Sequence, residues 1–470
     1  MDRREFLINA YKVGGLAALL SLGVGKTEAY TLSSVIGSGG FSYNDIGTAG
    51  LAGFGAGVCP IATLPSGMAG MAGYTSNVDD NYGNYQFSDG SVMVWIPKFY
   101  YKIGTGSNGL AVNVIDVKGV RTYSSTSSAN AAGYALHRAF IDGGVEKDGF
   151  FFDKYMASKN SLGTGFVASS IKNGLPISSA AAHNQFADLT GGVNAYYSLV
   201  DLAHRRDGVN GLVNSSSIFH CASQFQRAAL ALLSMAHGQA AVSATYCAWY
   251  DAAGNTNFPK GCNNDALHDC NDSAVVYVTD GYSNCGKTGS GTPFAKTTHN
   301  GQSCGVADLN GLMYEISIGI TYLSGTGKFY AAKQSASMKS FTAGNTLGTD
   351  HWGSTGIAVN MDEITIPDFG VNGWKYFGNG ANQVLNEGIS GNGWLLTGLG
   401  VPNDVNGMGG SGTALFGNDG LYWGHQNDLC LRSSVYWNYW SSAGVWGVNW
   451  DATRSYSNDS VGGRLACYPV

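Results

Sequence analysis

Residues 433–460, near the carboxyl end of the chain, have the side-chain chemistry of a binding surface. They include seven Ser, three Tyr, four Trp and three Asn, with no Lys or Glu and a single Arg. Tyr and Trp offer large amphipathic contact areas with few rotatable bonds, while Ser and Asn offer adaptable hydrogen bonds. A buried segment would need a partner for every hydroxyl and amide, and a solvated loop would not keep four indoles. The segment is therefore predicted to face outward and to bind another molecule.

The elements that must position this segment lie earlier in the chain. A β-branched and aromatic run on both sides of Pro97, residues 92–103, predicts two strands, and Phe150–Met156 predicts another. A helix is predicted over residues 223–237, with Gly238 as its stop. Its apolar face recurs at helical spacing and consists of Phe225, Ala229, Leu232, Leu233 and Ala236. Short strands and loops are predicted beyond the helix, which indicates a mixed α+β fold.

The composition indicates a loop-rich protein of the extracellular or virion type. Charged residues make up 12% of the chain, about half the usual ~25%, and there are 69 Gly. The net charge of −6 gives no basic footprint, so nucleic acid is not expected as a partner. Residues 30–90, rich in Gly, Ala and Ser, are predicted to be an irregular N-terminal region separate from a domain over residues 91–470.

The N-terminus resembles a twin-arginine export signal over residues 1–29. Arg3 and Arg4 precede Phe6 and Leu7, and a modest apolar run follows over residues 13–22. That run is short for a membrane span of ~20 residues. The pattern predicts export to the cell surface or the extracellular space. The alternative is a short amphipathic helix in a virion or cytosolic protein.

Nine cysteines are present, and none forms a CxxC pair, which argues against a zinc ribbon or a thioredoxin-type site. Five lie between Cys247 and Cys304, where disulfides would staple a long irregular region of an exported protein. A bridge between Cys430 and Cys467 would close a loop of about 38 residues and stabilise the fold by roughly 4 kcal/mol in the chain-entropy model. Two buried thiols are the alternative.

Three phrases, in order along residues 91–470, resemble the formylglycine-generating-enzyme branch of the C-type lectin fold. They are the Ile-Pro strand within Val92–Phe99, the phrase Asp308–Glu315 and the closing stretch Val461–Leu465. The resemblance implies an α+β, C-type lectin-like fold that is loop-rich, with short strands and a few helices. Glu315 is expected to form hydrogen bonds inside that fold.

The same resemblance bears on catalysis. The parent enzyme class binds copper through a closely spaced pair of C-terminal cysteines, and the last hundred residues here hold no such pair. Neither copper chemistry nor enzymatic activity is therefore expected.

The carboxyl end is also similar to the variable proteins of diversity-generating retroelements, through residues 446–450 and 461–470. In that family, adenine-directed mutagenesis rewrites selected codons near the 3′ end of the gene, and the lectin-type fold displays the products. The resemblance implies constant positions at Trp437, Gly444, Trp446 and Gly462–Arg464. The implied variable, ligand-binding positions are Val435, Tyr436, Asn438, Tyr439, Trp440, Ser442, Asn449, Trp450, Asp451, Tyr456, Asn458 and Asp459.

The leading hypothesis is a non-catalytic, hypervariable receptor-type protein whose ligand is another protein or a surface glycan. It would be displayed at a cell surface or on a virion, for example as a phage receptor-binding tip. The alternative is a constant-site carbohydrate-binding or enzymatic member of the same fold. The expected energetic anchors are aromatic, as in most interfaces: Tyr436, Tyr439, Trp440 and Trp450.

Other short motifs are interpreted as coincidences of a Gly-rich chain. Gly281–Thr288 spells a Walker A loop, but Gly289–Pro293 cannot begin the helix that would hold phosphate. A β-branched run follows the dinucleotide-type string Gly104–Gly109, and no strand precedes the nucleophile-elbow string Gly301–Gly305.

No cofactor or metal is expected. The oxygen-rich loops 263–265 and 269–272 offer Ca²⁺ ligands, with ordinary Asx-turns as the competing interpretation. The histidines are scattered along the chain, and no metal site is predicted among them.

Overall fold

The computed structural model describes residues 44–185, 195–252, 261–262, 265–282, 284–341, 359–378, 382–386, 388–409 and 414–470. Its helices are α1 (Thr126–Ala131), α2 (Ala195–Arg205), α3 (Gln224–Ala240) and α4 (Gly391–Gly398). Its strands, in chain order, are β1 (Met68–Gly70), β2 (Asn84–Phe87), β3 (Val92–Pro97), β4 (Phe99–Ile103), β5 (Ile115–Gly119), β6 (Ala135–Leu136), β7 (Ile141–Asp142), β8 (Val145–Glu146), β9 (Gly149–Asp153), β10 (Ala157–Leu162), β11 (Gly165–Ser170), β12 (Ile177–Ser178), β13 (Asn184–Gln185), β14 (Phe219–Cys221), β15 (Tyr314–Ser317), β16 (Ile320–Leu323), β17 (Lys328–Ala332), β18 (Met361–Ile364), β19 (Gly373–Phe377), β20 (Met408–Gly409), β21 (Gly420–Trp423), β22 (Leu429–Ser433), β23 (Val448–Thr453), β24 (Val461–Gly462) and β25 (Leu465–Cys467).

Two larger sheets organise these strands. The first has the order β1-β2-β3-β9-β25-β14, so the last strand of the chain pairs with β9 in its interior. The second has the order β20-β19-β21-β23-β22-β15-β24 and contains most of the carboxyl-terminal segment. Smaller sheets of two or three strands complete the described part. The mixed α+β class, strand-rich with few helices, is therefore confirmed.

Helix α3 is buried on all sides, and it packs against β5 and β22. Ser223 caps its N-terminus in a capping box with Gln226: each side chain is hydrogen-bonded to the backbone of the other residue. The predicted helix is confirmed, but it continues to Ala240 instead of stopping at Gly238. The prediction of one apolar face was too narrow, because every residue from Gln224 to His237 is buried, as expected of a helix inside a large core.

The strands predicted around Pro97 and after Gly149 are confirmed as β3, β4 and β9. The boundary predicted between residues 90 and 91 is wrong. Strands β1 and β2 belong to the same sheet as β3, and Phe54 and Tyr85 lie in the main core. The structure groups the chain from Tyr43 to Val470 into one compact unit. The many glycines of this region do not mark irregular structure, because they allow backbone segments to pack closely. At Gly83, for example, a Cβ would lie 2.5 Å from the carbonyl oxygen of Gly57.

All nine cysteines lie in the described part of the chain and are free thiols. The predicted Cys430–Cys467 bridge is therefore wrong, and the alternative of two buried thiols is correct. Cys430 lies on β22 and Cys467 on β25, in different sheets. Stapling of the 247–304 region by disulfides is likewise not seen.

The twin-arginine-like segment, residues 1–29, and residues 30–43 lie outside the described residues. Within the described ranges, none of the helices combines the length and the apolar character needed to cross a membrane.

Candidate functional site

The carboxyl-terminal segment is a loop carried by two paired strands. Strands β22 and β23 are antiparallel neighbours with an irregularity between Cys430 and Arg432, and residues 434–447 connect them. Both strands lie inside the seven-stranded sheet. A loop on a rigid scaffold is the usual place for binding residues, and the described geometry provides that scaffold.

Three of the four indoles in this segment point inward. Trp450 is fully buried, with its ring centroid 5.7 Å from that of Trp423. Trp446 packs against Phe377 and Phe416. Trp437 belongs to a second, smaller apolar cluster with Met156, Val275, Leu312 and Met313. These three rings anchor the loop to the core and are not available for contact with a ligand.

A close approach at Gly444 fixes the middle of the loop. A Cβ at this position would lie 1.9 Å from a carboxylate oxygen of Asp419. The other carboxylate oxygen of Asp419 accepts a hydrogen bond of 2.9 Å from the backbone N–H of Trp446. No side chain fits between the two chain segments, so glycine is required here.

We expect Gly444→Ala to destabilise the protein by about 1–3 kcal/mol, the range for a substitution that breaks a buried hydrogen bond or overpacks a core. Chemical denaturation would measure the loss. Gly325, around which a Cβ would meet nothing within 4 Å, is the matched control, and Gly325→Ala should leave stability nearly unchanged. Equal effects of the two substitutions would contradict the close approach.

On the outer side, four half-exposed aromatic rings form a row: Tyr422, Trp374, Tyr439 and Tyr436. Together with the exposed Trp440, which follows Tyr439 in the chain, we call them the aromatic strip. Trp374 lies 5.5 Å from Tyr422 and 5.1 Å from Tyr439, between ring centroids. Tyr436 and Tyr439 are 5.0 Å apart. Trp440 is 63% exposed. Aromatic pairs at such distances support one another, so the strip is a pre-organised surface.

A guanidinium group lies beside the strip. Arg432 is placed over the ring of Tyr314 at 4.4 Å and over that of Tyr456 at 4.6 Å. Its Nη2 donates to Asn449 Oδ1 at 2.9 Å and also pairs with Asp451. The cation is thus held between two phenol rings, with its charge compensated by a carboxylate that is partly exposed.

Tyr314 and Tyr436 stay protonated at neutral pH. Burial raises the pKa of Tyr314 well above its ordinary value and also raises the pKa of Tyr436. Phenols in this state donate as well as accept hydrogen bonds. The surface therefore offers neutral amphipathic rings, which suit contact with a protein or a sugar face.

Eight of the twelve predicted ligand-binding positions reach the surface. Asn438 and Trp440 are exposed, and the half-buried ones are Tyr436, Tyr439, Asp451, Tyr456, Asn458 and Asp459. Two of the eight have local structural partners as well: Tyr282 donates to Asp459, and Asn458 Oδ1 accepts from the backbone N–H of Ser460 at 3.0 Å.

The other four predicted positions are buried, and their assignment as ligand contacts is corrected: Val435, Ser442, Asn449 and Trp450. Asn449 is occupied inside the fold, since its amide donates to the hydroxyl of Tyr314 at 3.1 Å. Ser442 donates to the hydroxyl of Tyr376 at 3.3 Å. Trp450 cannot be an anchor for a ligand because its indole lies in the main core.

Sequence reasoning missed Trp374, Tyr422 and Arg432, which come from outside residues 433–460. A signal was present, since residues 373–377 and 420–423 are aromatic-rich. Their place beside the segment depends on strand pairing, with β21 hydrogen-bonded to both β19 and β23. Composition alone does not give that pairing.

Glu315 is buried, as expected, at the centre of a charge network. It pairs with Arg227 of α3, and it accepts a 2.8 Å hydrogen bond from Nε of Arg464. Arg464 also donates to the backbone oxygen of Lys154 at 2.9 Å. A neighbouring bidentate pair joins Arg206 to Asp153 at 2.6 and 2.8 Å. The closing Gly-Gly-Arg stretch thus ties the two larger sheets to α3.

The motifs interpreted as coincidences have no nucleotide-site geometry in the described residues. The residues after Lys287 form turns and a bridge instead of an α-helix, and Gly104–Gly109 lies in the turn between β4 and β5. In the 269–272 loop, Asp269 Oδ1 accepts from the backbone N–H groups of Asn271 and Asp272, which is an Asx-turn. Asn263 and Asn264 lie outside the described residues.

Comparison of the sequence with models of protein families and with curated proteins gives no match.

Proposed function

We propose that this protein is a hypervariable ligand-binding protein with a C-type lectin-like fold of the formylglycine-generating-enzyme branch. The aromatic strip, with Asn438 and Asp451 beside it, would contact the ligand, which is another protein or a surface glycan. Retroelement mutagenesis would rewrite the exposed positions, and the protein would be displayed at a cell surface or on a virion. A binding function needs no catalytic group in this surface.

The single observation that carries the proposal is how the two sets of positions divide between surface and core. All six positions implied to be constant are buried: Trp437, Gly444, Trp446, Gly462, Gly463 and Arg464. Eight of the twelve implied variable positions reach the surface. A protein that tolerates many side chains at one face must draw its stability from elsewhere, and this division supports that requirement.

Backbone strain adds a second line of support. Ser434, Val435 and Trp440 have φ values of 76°, 57° and 47°, in the left-handed region that side chains other than Gly and Asn rarely adopt. Strain of this kind is concentrated at functional sites. For the fold, the phrase ending in Glu315 leads into β15, and its carboxylate binds Arg464 of the closing stretch.

Sequencing the 3′ end of the gene in many cells of a clonal population tests the proposal. Substitutions should fall at adenines in the codons of the exposed positions, while the codons of Trp437, Gly444 and Trp446 stay unchanged. A near-identical template repeat and a reverse transcriptase gene should lie nearby. Uniform sequences, with no template repeat beside the gene, would contradict the proposal.

The division between exposed and buried positions also predicts a contrast in stability. Replacing Asn438, Tyr439 and Trp440 together by Ala should change the free energy of unfolding by only about 1 kcal/mol, the scale of surface substitutions. Trp450→Ala alone should cost about 3–5 kcal/mol, because it leaves a large cavity in the core. Urea denaturation of the two variants and the parent would measure both values.

The triple variant has a matched control in a second triple substitution at buried predicted positions, Val435, Ser442 and Asn449. That variant should lose far more stability than the exposed one. Similar losses in the two triple variants would show that the surface is not separable from the scaffold.

A further inference from the structure

Three side chains of metal-binding type lie close together near the loop of residues 434–447. They are His183, Asp280 and Cys285, whose ligating atoms lie within 4.8 Å of one another, and all three are buried. His183 lies 97 residues before Asp280 in the sequence, so the fold brings it to the other two. No metal site was expected among the histidines, and this arrangement departs from that expectation.

A tight loop places two of the three groups. The backbone N–H of Asp280 donates to the carbonyl of Cys285 at 3.0 Å, and that of Cys285 donates to the carbonyl of Tyr282 at 2.9 Å. The carboxylate and the thiol therefore come from one short turn. The third group, His183, follows strand β12, and one ring nitrogen, Nε2, contacts Asp280 Oδ2.

Neighbouring groups orient the side chains as they do in known metal sites. Ser178 Oγ lies 2.6 Å from His183 Nδ1, which leaves Nε2 to face the cluster. The other oxygen of Asp280, Oδ1, accepts a 2.8 Å hydrogen bond from the backbone N–H of Tyr282. Metal-binding imidazoles and carboxylates are usually held by such outer partners.

The row of Ser178, His183 and Asp280 also has the residue types of a hydrolase triad. Its geometry argues against that use. Ser178 is fully buried, and its oxygen already accepts a hydrogen bond from the backbone N–H of Ala180 at 3.0 Å. The side chains of His183 and Asp280 have no exposed surface. A substrate could not reach these groups, whereas a metal ion bound during folding could be enclosed by them.

We propose that His183, Asp280 and Cys285 bind one Zn²⁺ ion as a structural site, with Cys262 as the fourth ligand. Cys262 lies in the same buried cluster as Cys285, and its Sγ donates to the carbonyl of Asn284 at 2.7 Å. A mixed nitrogen, oxygen and sulfur set is typical of zinc, and the ligand atoms of a tetrahedral site lie roughly 3–4 Å apart. The ligating atoms of His183, Asp280 and Cys285, within 4.8 Å of one another, need small side-chain shifts to reach these distances, and the thiol of Cys262 would have to turn toward them.

Charge balance favours a divalent ion in this apolar setting. Zinc binding would release the thiol protons of Cys285 and Cys262, leaving a neutral imidazole, a carboxylate and two thiolates around the ion. The three anionic ligands compensate its charge and leave one net negative charge.

The site would also stabilise the loop of residues 434–447. Tyr282, inside the metal-binding turn, packs edge-on against His183 at 5.3 Å and against Trp437 at 6.3 Å, between ring centroids. Its hydroxyl donates to Asp459. The proposal rests on the buried ligands alone and is independent of whether the face is diversified.

Cobalt titration of the full-length protein, made metal-free by dialysis against a chelator, tests the site. We expect one Co²⁺ per chain, with a thiolate-to-cobalt absorption band and the visible bands of a four-coordinate site, and displacement by Zn²⁺. Cys285→Ser should abolish the thiolate band contributed by this ligand and weaken binding strongly. Ser178→Ala should weaken binding by about 10–100-fold, the usual effect of removing an outer partner.

Cys221→Ser is the matched control, since Cys221 is another buried thiol, on β14 in the main core, whereas Cys285 belongs to the smaller apolar cluster. It should bind cobalt like the parent. Circular dichroism would show that each variant is folded, and added Zn²⁺ should raise the melting temperature of the parent but not of Cys285→Ser. Failure to bind cobalt stoichiometrically, or equal binding by Cys285→Ser and the parent, would overturn the proposal.

Discussion

Replacing Glu315 by Ala is expected to lower the free energy of unfolding by about 3–5 kcal/mol, the usual loss when one partner of a buried ion pair is removed. The carboxylate compensates the charges of both Arg227 and Arg464, and all three groups are buried. Without it, two guanidinium groups would remain in the interior without an anion. Urea denaturation at neutral pH would measure the loss.

Glu315→Gln separates charge from shape. The amide keeps an oxygen that accepts from one arginine, so this variant should be destabilised less than the Ala variant. Glu363 provides a control, since it pairs with Lys328 at 2.7 Å at the surface, where ion pairs contribute little. Glu363→Ala should have no measurable effect. A Glu315→Ala protein as stable as the parent would show that the network does not support the fold.

The second large effect is a loss of stability in mild acid. Burial lowers the pKa of four histidines: His137 and His299 to about 3, and His220 and His237 to about 4. Each folded-state pKa lies below the value near 6.5 of the unfolded chain. The unfolded chain therefore binds more protons, and stability falls as the pH drops below about 6.5.

The expected size is large. From pH 7.5 to 5.5, each histidine removes about 1.4 kcal/mol, or on the order of 5 kcal/mol for the four together. Asp308 acts in the opposite direction, because burial raises its pKa to about 6 and the folded state then gains a proton that the unfolded chain does not hold. Burial also raises the pKa of Asp153. These two carboxyls offset only part of the effect of the four imidazoles, so the net slope stays the same in sign.

Denaturation at several pH values would measure this slope. His137→Asn keeps an acceptor for the 3.2 Å hydrogen bond from the backbone N–H of Ala139 but cannot bind a proton. The free energy of unfolding should therefore fall less steeply with decreasing pH, by the contribution of one histidine. A stability that is flat between pH 7.5 and 5.5 would contradict the neutral buried state of these rings.

The sequence predicted those helices and strands that have a clear pattern of apolar residues within their own length. The spacing of Phe225 and Leu232 predicted α3, and the residues around Pro97 predicted β3 and β4. The all-round burial of α3 was not predictable, because it depends on contacts with β5 and β22, which are distant from the helix in the sequence. The same holds for residues 44–90, whose strands complete a sheet begun elsewhere in the chain.

The candidate site was predicted in composition but not in orientation. Nothing in the sequence shows that Trp440 points outward while Trp450 points inward, since both have the same chemistry and similar neighbours. Their places in the fold decide this: Trp440 lies in the loop after β22, whereas Trp450 lies on β23 with its side chain in the main core. The cluster of His183 with Asp280 was equally hidden, because almost a hundred residues separate the two.

The place of β25 in the first sheet has a consequence for synthesis. Its residues are synthesised after those of β9 and β14, yet they lie between these two strands and carry Cys467 into the core. A chain that stopped within residues 433–460 would lack this inner strand and leave the first sheet divided. Premature termination anywhere in the aromatic-rich stretch would thus yield material for proteolysis, and the fold itself would remove chains that lack β25.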